Sequence, residues 1–152
     1  MAYVTAEARQ DLLDAIAQAI EEIGLALADL GGAYELLDDY NADKLEAELF
    51  RPVQTAYGRA KRTYTGFAGR YELPGREFPP AAPASAARGV KPLLERALGA
   101  IGEADTTLAT LQDSMMPVEV GDAELRAGLA EVRDLIGGLR GRSREFVRTL
   151  GR

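Results

Sequence analysis

Residues 13–37 read LDAIAQAIEEIGLALADLGGAYELL. Within them Leu13, Ile16, Ile20, Ile23, Leu27, Leu30, Tyr34 and Leu37 recur at alternating steps of three and four. This spacing is a heptad seam, a narrow apolar stripe along one face of an α-helix that has to be buried against other helices. Gly31 and Gly32 do not disturb its phase, so the spacing predicts one helix over about 5–38. Thr5 is the expected cap, because its hydroxyl can accept from free amides of the first turn. Continuing the pattern would demand apolar residues where Asn41 and Lys44 stand. A turn is therefore expected at 39–41, with Asn41 capping the next helix.

Three further seams follow. Phe50, Val53, Tyr57, Ala60, Tyr64, Phe67 and Tyr71 predict a second helix over 42–71, bent at Pro52 because proline removes one backbone hydrogen bond. Residues 72–84, ELPGREFPPAAPA, hold four prolines and no period, which marks a connection. Val90, Leu94, Ala97, Ile101, Ala104, Leu108, Leu111 and Met115 predict a third helix over 86–115, with Ser85 as its cap and Pro92 leaving its start open. Leu125, Leu129, Val132, Ile136, Leu139, Ser143, Phe146 and Leu150 predict a fourth over 122–150, capped by Asp122, with Ser143 the polar exception. The expected fold is all-α: one domain over 1–152, an antiparallel up-down-up-down four-helix bundle with a heptad-packed core and a Pro-rich connection between helices 2 and 3.

Composition narrows the function. The chain of 152 residues has 24 acidic and 18 basic residues, a net charge of −6 and neither cysteine nor histidine. Without them there are no disulfides, no thiolate chemistry, no imidazole base and no Glu-x-x-His di-iron motif. No seam position is a carboxylate, so an inward acid pair for acid–base catalysis or a buried metal is not expected. The run Glu35, Asp38, Asp39, Asp43 could hold a hard cation, but acids at a turn are expected on solvation grounds alone. A non-enzymatic protein with no cofactor and no metal follows as the expectation. The chain shows no secretory signal, and its longest uncharged run, 78–87, is too short and too proline-rich to span a bilayer. A cytoplasmic, non-transmembrane protein fits this reading.

Two groups of residues are candidate sites. With up-down-up-down order, Ile23, Tyr57, Ile101 and Ile136 share a middle layer and Tyr64 faces Ser143, where a hydrogen bond between the two hydroxyls would satisfy both. Gly24, Gly58, Gly102 and Gly137 follow the middle-layer residues. They let helices approach and make room for Tyr57, or leave a cavity for a small hydrophobic ligand lined by Tyr57, Tyr64, Ser143, Ile23, Ile101 and Ile136, or in part face outward as a flat patch for a second copy. Charge supplies the second group. Residues 1–48 carry 12 acids and 2 bases, whereas residues 49–91 carry 2 acids and 8 bases. The same topology gathers Arg59, Lys61, Arg62, Arg70, Arg140, Arg142, Arg144 and Arg148 at one pole, which could dock on an anionic surface such as nucleic acid or phospholipid. The partners expected first are another protein or a second copy of the chain. A small apolar ligand comes next, and nucleic acid or a membrane surface last.

Overall fold

The helices follow the seams, but local capping chemistry sets their ends. The computed structural model describes residues 2–150, and for residues 2–4 the backbone alone. It is all-helical, with no strand among the described residues. Helix α1 spans Ala2–Tyr34, so Thr5 lies inside it and is not its cap. It stops short of Asp38 because the amides of Leu36 and Leu37 turn back to the carbonyls of Ala33 and Tyr34 at 3.0 and 3.3 Å. Asp38, not Asn41, then caps α2 (Asp39–Leu45): its backbone is extended and its carboxylate accepts from the Asn41 amide at 3.1 Å.

The expected bend at Pro52 takes a different form. A π turn, Glu46–Phe50, precedes α3 (Arg51–Arg70), and the Arg51 amide donates to the Glu46 carbonyl. Its sequence signal is a run of four-residue steps, Leu45, Leu49, Val53, all fully buried. One extra residue in the turn keeps these three on the core side and rotates Phe50, a predicted seam residue, to a half-buried position. Because Pro52 has no amide, the Glu48 carbonyl loses its helical donor. The Arg142 guanidinium reaches that carbonyl at 3.5 Å.

Ser85 caps only a single 3-10 turn, Ala86–Arg88. Helix α4 (Val90–Asp113) begins after Gly89, whose φ of +87° suits a residue without Cβ, and Pro92 sits in its first turn where no amide partner is lost. A short helix α5 (Met116–Glu119) occupies the third connection. Asp122 caps the next helix as expected, accepting from the Leu125 amide at 2.8 Å. The predicted fourth helix is divided at Gly138 into α6 (Ala123–Gly137) and α7 (Leu139–Leu150).

Residue pairs give the direction of each helix, and they contradict up-down-up-down order. Arg9 near the start of α1 stacks on Tyr71 at the end of α3, 4.0 Å from the ring centre, and Gly24 faces the Tyr57 ring. Helix α3 therefore runs against α1. Glu22 accepts from the Thr107 hydroxyl at 2.8 Å, Asp29 pairs with Arg96 at 3.6 Å, and Arg9 donates to the Val120 carbonyl at 3.0 Å. Helix α4 therefore also runs against α1, and so parallel to α3. Arg70 with Asp122, Arg59 with Glu131 and Arg142 with Glu48 place α6 and α7 against α3. The helices are ordered up, down, down, up.

That order follows from the proline-rich connection. Residues 71–89 do not reverse the chain but carry it back along the length of α1: Arg76 pairs with Glu21, Pro79 accepts from the Tyr57 hydroxyl at 3.0 Å, and the Ala84 amide donates to the Ala28 carbonyl at 2.8 Å. Extended, proline-rich backbone covers about 3.1 Å per residue, so a dozen residues suffice for the journey. Gly31 and Gly32 are where it lands. Pro83 lies against the first, and a Cβ on the second would meet the Ala84 carbonyl oxygen at 2.6 Å.

The core lies along α1, which buries more than its seam. Leu12, Ala19, Ala26 and Ala33, spaced by seven, are fully buried beside Leu13, Ile16, Ile20, Ile23 and Leu30. Glu22 and Asp29 flank the alanines and both bond to α4, so the alanine row is the face on which α4 packs closely. Among the described residues α1 supplies eleven of the buried hydrophobic side chains, more than any other helix, and burying apolar surface stabilises by about 25 cal/mol per Å².

Candidate functional site

The six residues proposed as a cavity do not form one together. Ile23, Ile101 and Ile136 are fully packed core residues. Gly24 makes room for Tyr57, whose ring atoms would lie 3.3 to 3.6 Å from a Cβ there, and the Tyr57 hydroxyl is committed to the Pro79 carbonyl. Burial pushes the Tyr57 phenol above its ordinary pKa, and Lys61 covers its ring at 4.3 Å. Tyr64 and Ser143 are both buried but lie at different levels, since Thr63 faces Gly128 on α6 while Arg142 faces Glu48. The expected hydrogen bond between them is not formed. Tyr64 instead meets Phe78 edge-on, with ring centres 5.1 Å apart, because the crossing connection runs over it.

The predicted basic pole is dispersed for the same topological reason. The end of α3 lies by the start of α6, not by the end of α7. Arg70 grips Asp122 with two nitrogens at 2.7 and 2.9 Å and also reaches Glu124 at 2.9 Å. Arg59 pairs with Glu131 at 2.6 Å. Arg140 lies over Gly102 in a cleft of about 640 Å³ between α1 and α4 that Glu22, Glu95 and Glu103 also line. Arg142 reaches the Glu48 carbonyl, and Arg148 pairs with Glu145. Lys61 caps the Tyr57 ring, and Arg62 lies against Gly58. Acidic and basic segments interleave, so no single-signed pole results. Among the described residues no group of three or more acids is placed to hold a metal ion, and Asp38 of the predicted run serves as a helix cap.

Two features escaped the seam reading. Asp29 is an acid within the packed region, 3% exposed, on α1 facing α4. Burial raises its pKa, and the nearby Arg96 and Arg88 oppose that rise. No seam rule would find it, because it lies just outside the heptad stripe, beside the alanine row. The second is the end of the molecule around the α1–α2 turn. Leu36, in the turn, is 41% exposed and Tyr40, in the first turn of α2, is 74% exposed, beside the acids Glu35, Asp38 and Asp39. Next to them a cleft of about 380 Å³ is bounded by Gly31, Tyr34, Glu35, Glu46, Phe50 and Pro83. The sequence signal for this cleft was the π-turn spacing, which releases Phe50 from the core.

No protein-family model, no curated protein and no solved structure matches this chain. No helix among the described residues is long and apolar enough to cross a membrane.

Proposed function

We propose that this chain is a non-catalytic four-helix-bundle interaction protein that pairs with a second copy of itself through the α1–α2 turn. The observation that carries the reading is the exposure of Leu36 and Tyr40, two large apolar side chains on a tip where solvation would favour polar residues. Charge supports it. The same end carries the acids Glu35, Asp38, Asp39 and Asp43, and the Arg142 contact to Glu48 brings basic α7 there too. A two-fold contact could then set α7 of one copy against the acidic turn of the other, while the apolar tips meet at the axis. The patch is small beside the roughly 800 Å² per partner of a standard interface, so the pair is weak.

Light scattering with mass determination across a concentration series tests this. A dimer is expected at high micromolar protein, loosening as salt rises and absent in the Leu36→Glu and Tyr40→Glu variants. A wild-type chain that stays monomeric throughout ends the proposal.

A further inference from the structure

The cleft beside that tip has a chemistry of its own. It is lined by the aromatic residues Tyr34 and Phe50 and by the acids Glu35 and Glu46, with no basic residue in the lining. Pro83 packs 3.4 Å from the position a Gly31 Cβ would take, so the crossing connection closes one side. The last carbonyls of α1 point toward this end and add partial negative charge. We propose that the cleft binds a small organic cation of the quaternary or alkyl-ammonium class, the two rings receiving its alkylated face and the two carboxylates its charge.

Three observations lead there. Aromatic faces and carboxylates both attract positive charge, whereas a neutral apolar guest would desolvate two acids without compensation. Elsewhere in the chain four aromatic faces are occupied by internal cations, Tyr57 by Lys61, Tyr71 by Arg9, Phe78 by Arg76 and Phe67 by Arg70, whereas Tyr40, Tyr64 and Phe146 have no such contact among the described residues and do not line this cleft. Among the described residues no internal cation covers Tyr34 or Phe50. The π turn is the third observation, since it holds Glu46 at one end and Phe50 at the other, both lining the cleft, while Leu45 and Leu49 stay in the core. Among the described residues Arg51 pairs with Glu46 at 4.0 Å, with both side chains well exposed, a pairing that water screens and a bound cation can displace.

The inference does not depend on self-association, and its test is run in both the wild type and the Leu36→Glu variant so that loss of pairing and loss of binding are read apart. Choline and benzyltrimethylammonium are titrated while backbone amide signals are followed by NMR, beside the neutral isostere of choline in which a quaternary carbon replaces nitrogen. Both cations are expected to shift the Gly31, Tyr34 and Phe50 amides, with the neutral compound weaker by about tenfold or more. Tyr34→Leu, at a site 40% exposed, and the Glu35→Gln/Glu46→Gln double variant should each weaken binding several-fold, with the melt of each variant followed alongside. Equal binding of the neutral isostere, indifference to the double variant, or no shift at tens of millimolar cation would overturn the proposal. A trimethyl-lysine peptide that bound far more tightly than choline would also overturn it, in favour of a protein ligand.

Discussion

Asp122 does three jobs with one carboxylate. It accepts from Arg70 Nε and Nη2, from the Tyr71 hydroxyl at 3.1 Å and from the Leu125 amide, so it caps α6 and ties it to the end of α3. Burial alone would raise its pKa, but these donors outweigh burial and hold it below 3.8. Replacing it by alanine removes a cap worth about 1 kcal/mol and charge-assisted bonds worth about as much again or more, so a loss on the order of 2 to 3 kcal/mol is expected in chemical denaturation. A carboxylate whose folded pKa is depressed stabilises above its unfolded value, and that contribution fades as pH falls through the folded one. The gap between wild type and Asp122→Ala should therefore be full at neutral pH and close in acid, below 3.8. Asp29 has the opposite sign. Its folded pKa is raised, so the fold holds its proton more firmly than the unfolded chain does, and stability falls as pH climbs from 3.8 through the raised value. Asp29→Asn should melt above wild type at neutral pH, with the advantage shrinking toward acid. A variant that melts lower at neutral pH would mean that attraction to Arg96 and Arg88 outweighs burial.

Among the elements, α1 and the start of α6 were legible because their signals are local: a periodic stripe, and an aspartate one residue before a helix. The second helix was legible only in part. Its apolar pattern shifts by one residue between Leu45 and Val53, and a search for alternating threes and fours passes over a π turn and assigns Phe50 to the core. Gly138 was missed too, since the stripe runs through it from Ile136 to Leu139 in phase. Glycines show how context reverses propensity. A helical glycine replaced by alanine ordinarily gains up to about 1 kcal/mol. At Gly99, where a Cβ meets nothing within 4 Å, that gain is expected. At Gly128 a Cβ would strike Thr63, whose hydroxyl donates to the Arg59 carbonyl at 2.9 Å and receives the Arg59 guanidinium at 3.1 Å. Gly128→Ala should therefore destabilise by about 1 to 3 kcal/mol, as overpacking does, and should also loosen the Arg59–Glu131 pair. Thermal melts of the two variants moving in the same direction would mean that α3 and α6 do not approach as closely as the structure has them.

For the whole molecule, the decisive fact is that α3 and α4 run parallel, and the predicted site fell with the predicted order. Counting outward from assumed hairpins put Tyr64 beside Ser143 and gathered the arginines of α3 and α7 at one end; the crossing connection separates both groups. Heptads specify which face is buried but not which neighbour covers it, so helix order had to come from the connection, and its length admitted both a loose turn and a traverse. The traverse is testable by length. From the level of Arg9 to that of Gly32 is 23 residues of α1, about 35 Å at 1.5 Å per residue. Deleting 73–84 leaves seven residues between α3 and α4, 71–72 and 85–89, which reach at most about 25 Å. An antiparallel α3–α4 hairpin would accept such a link, because helix connections of two to eight residues are ordinary in bundles. The parallel order cannot, so the deletion variant should lose its cooperative melt as a monomer or escape into an exchanged dimer, visible by circular dichroism and light scattering. Because the deletion also removes Phe78 and Ala84 from their packing, the companion variant replaces 73–84 with a glycine–serine segment of equal length. That variant should remain folded and monomeric at low concentration, though less stable, and a deletion variant that did as well as it would show the helices to be ordered otherwise.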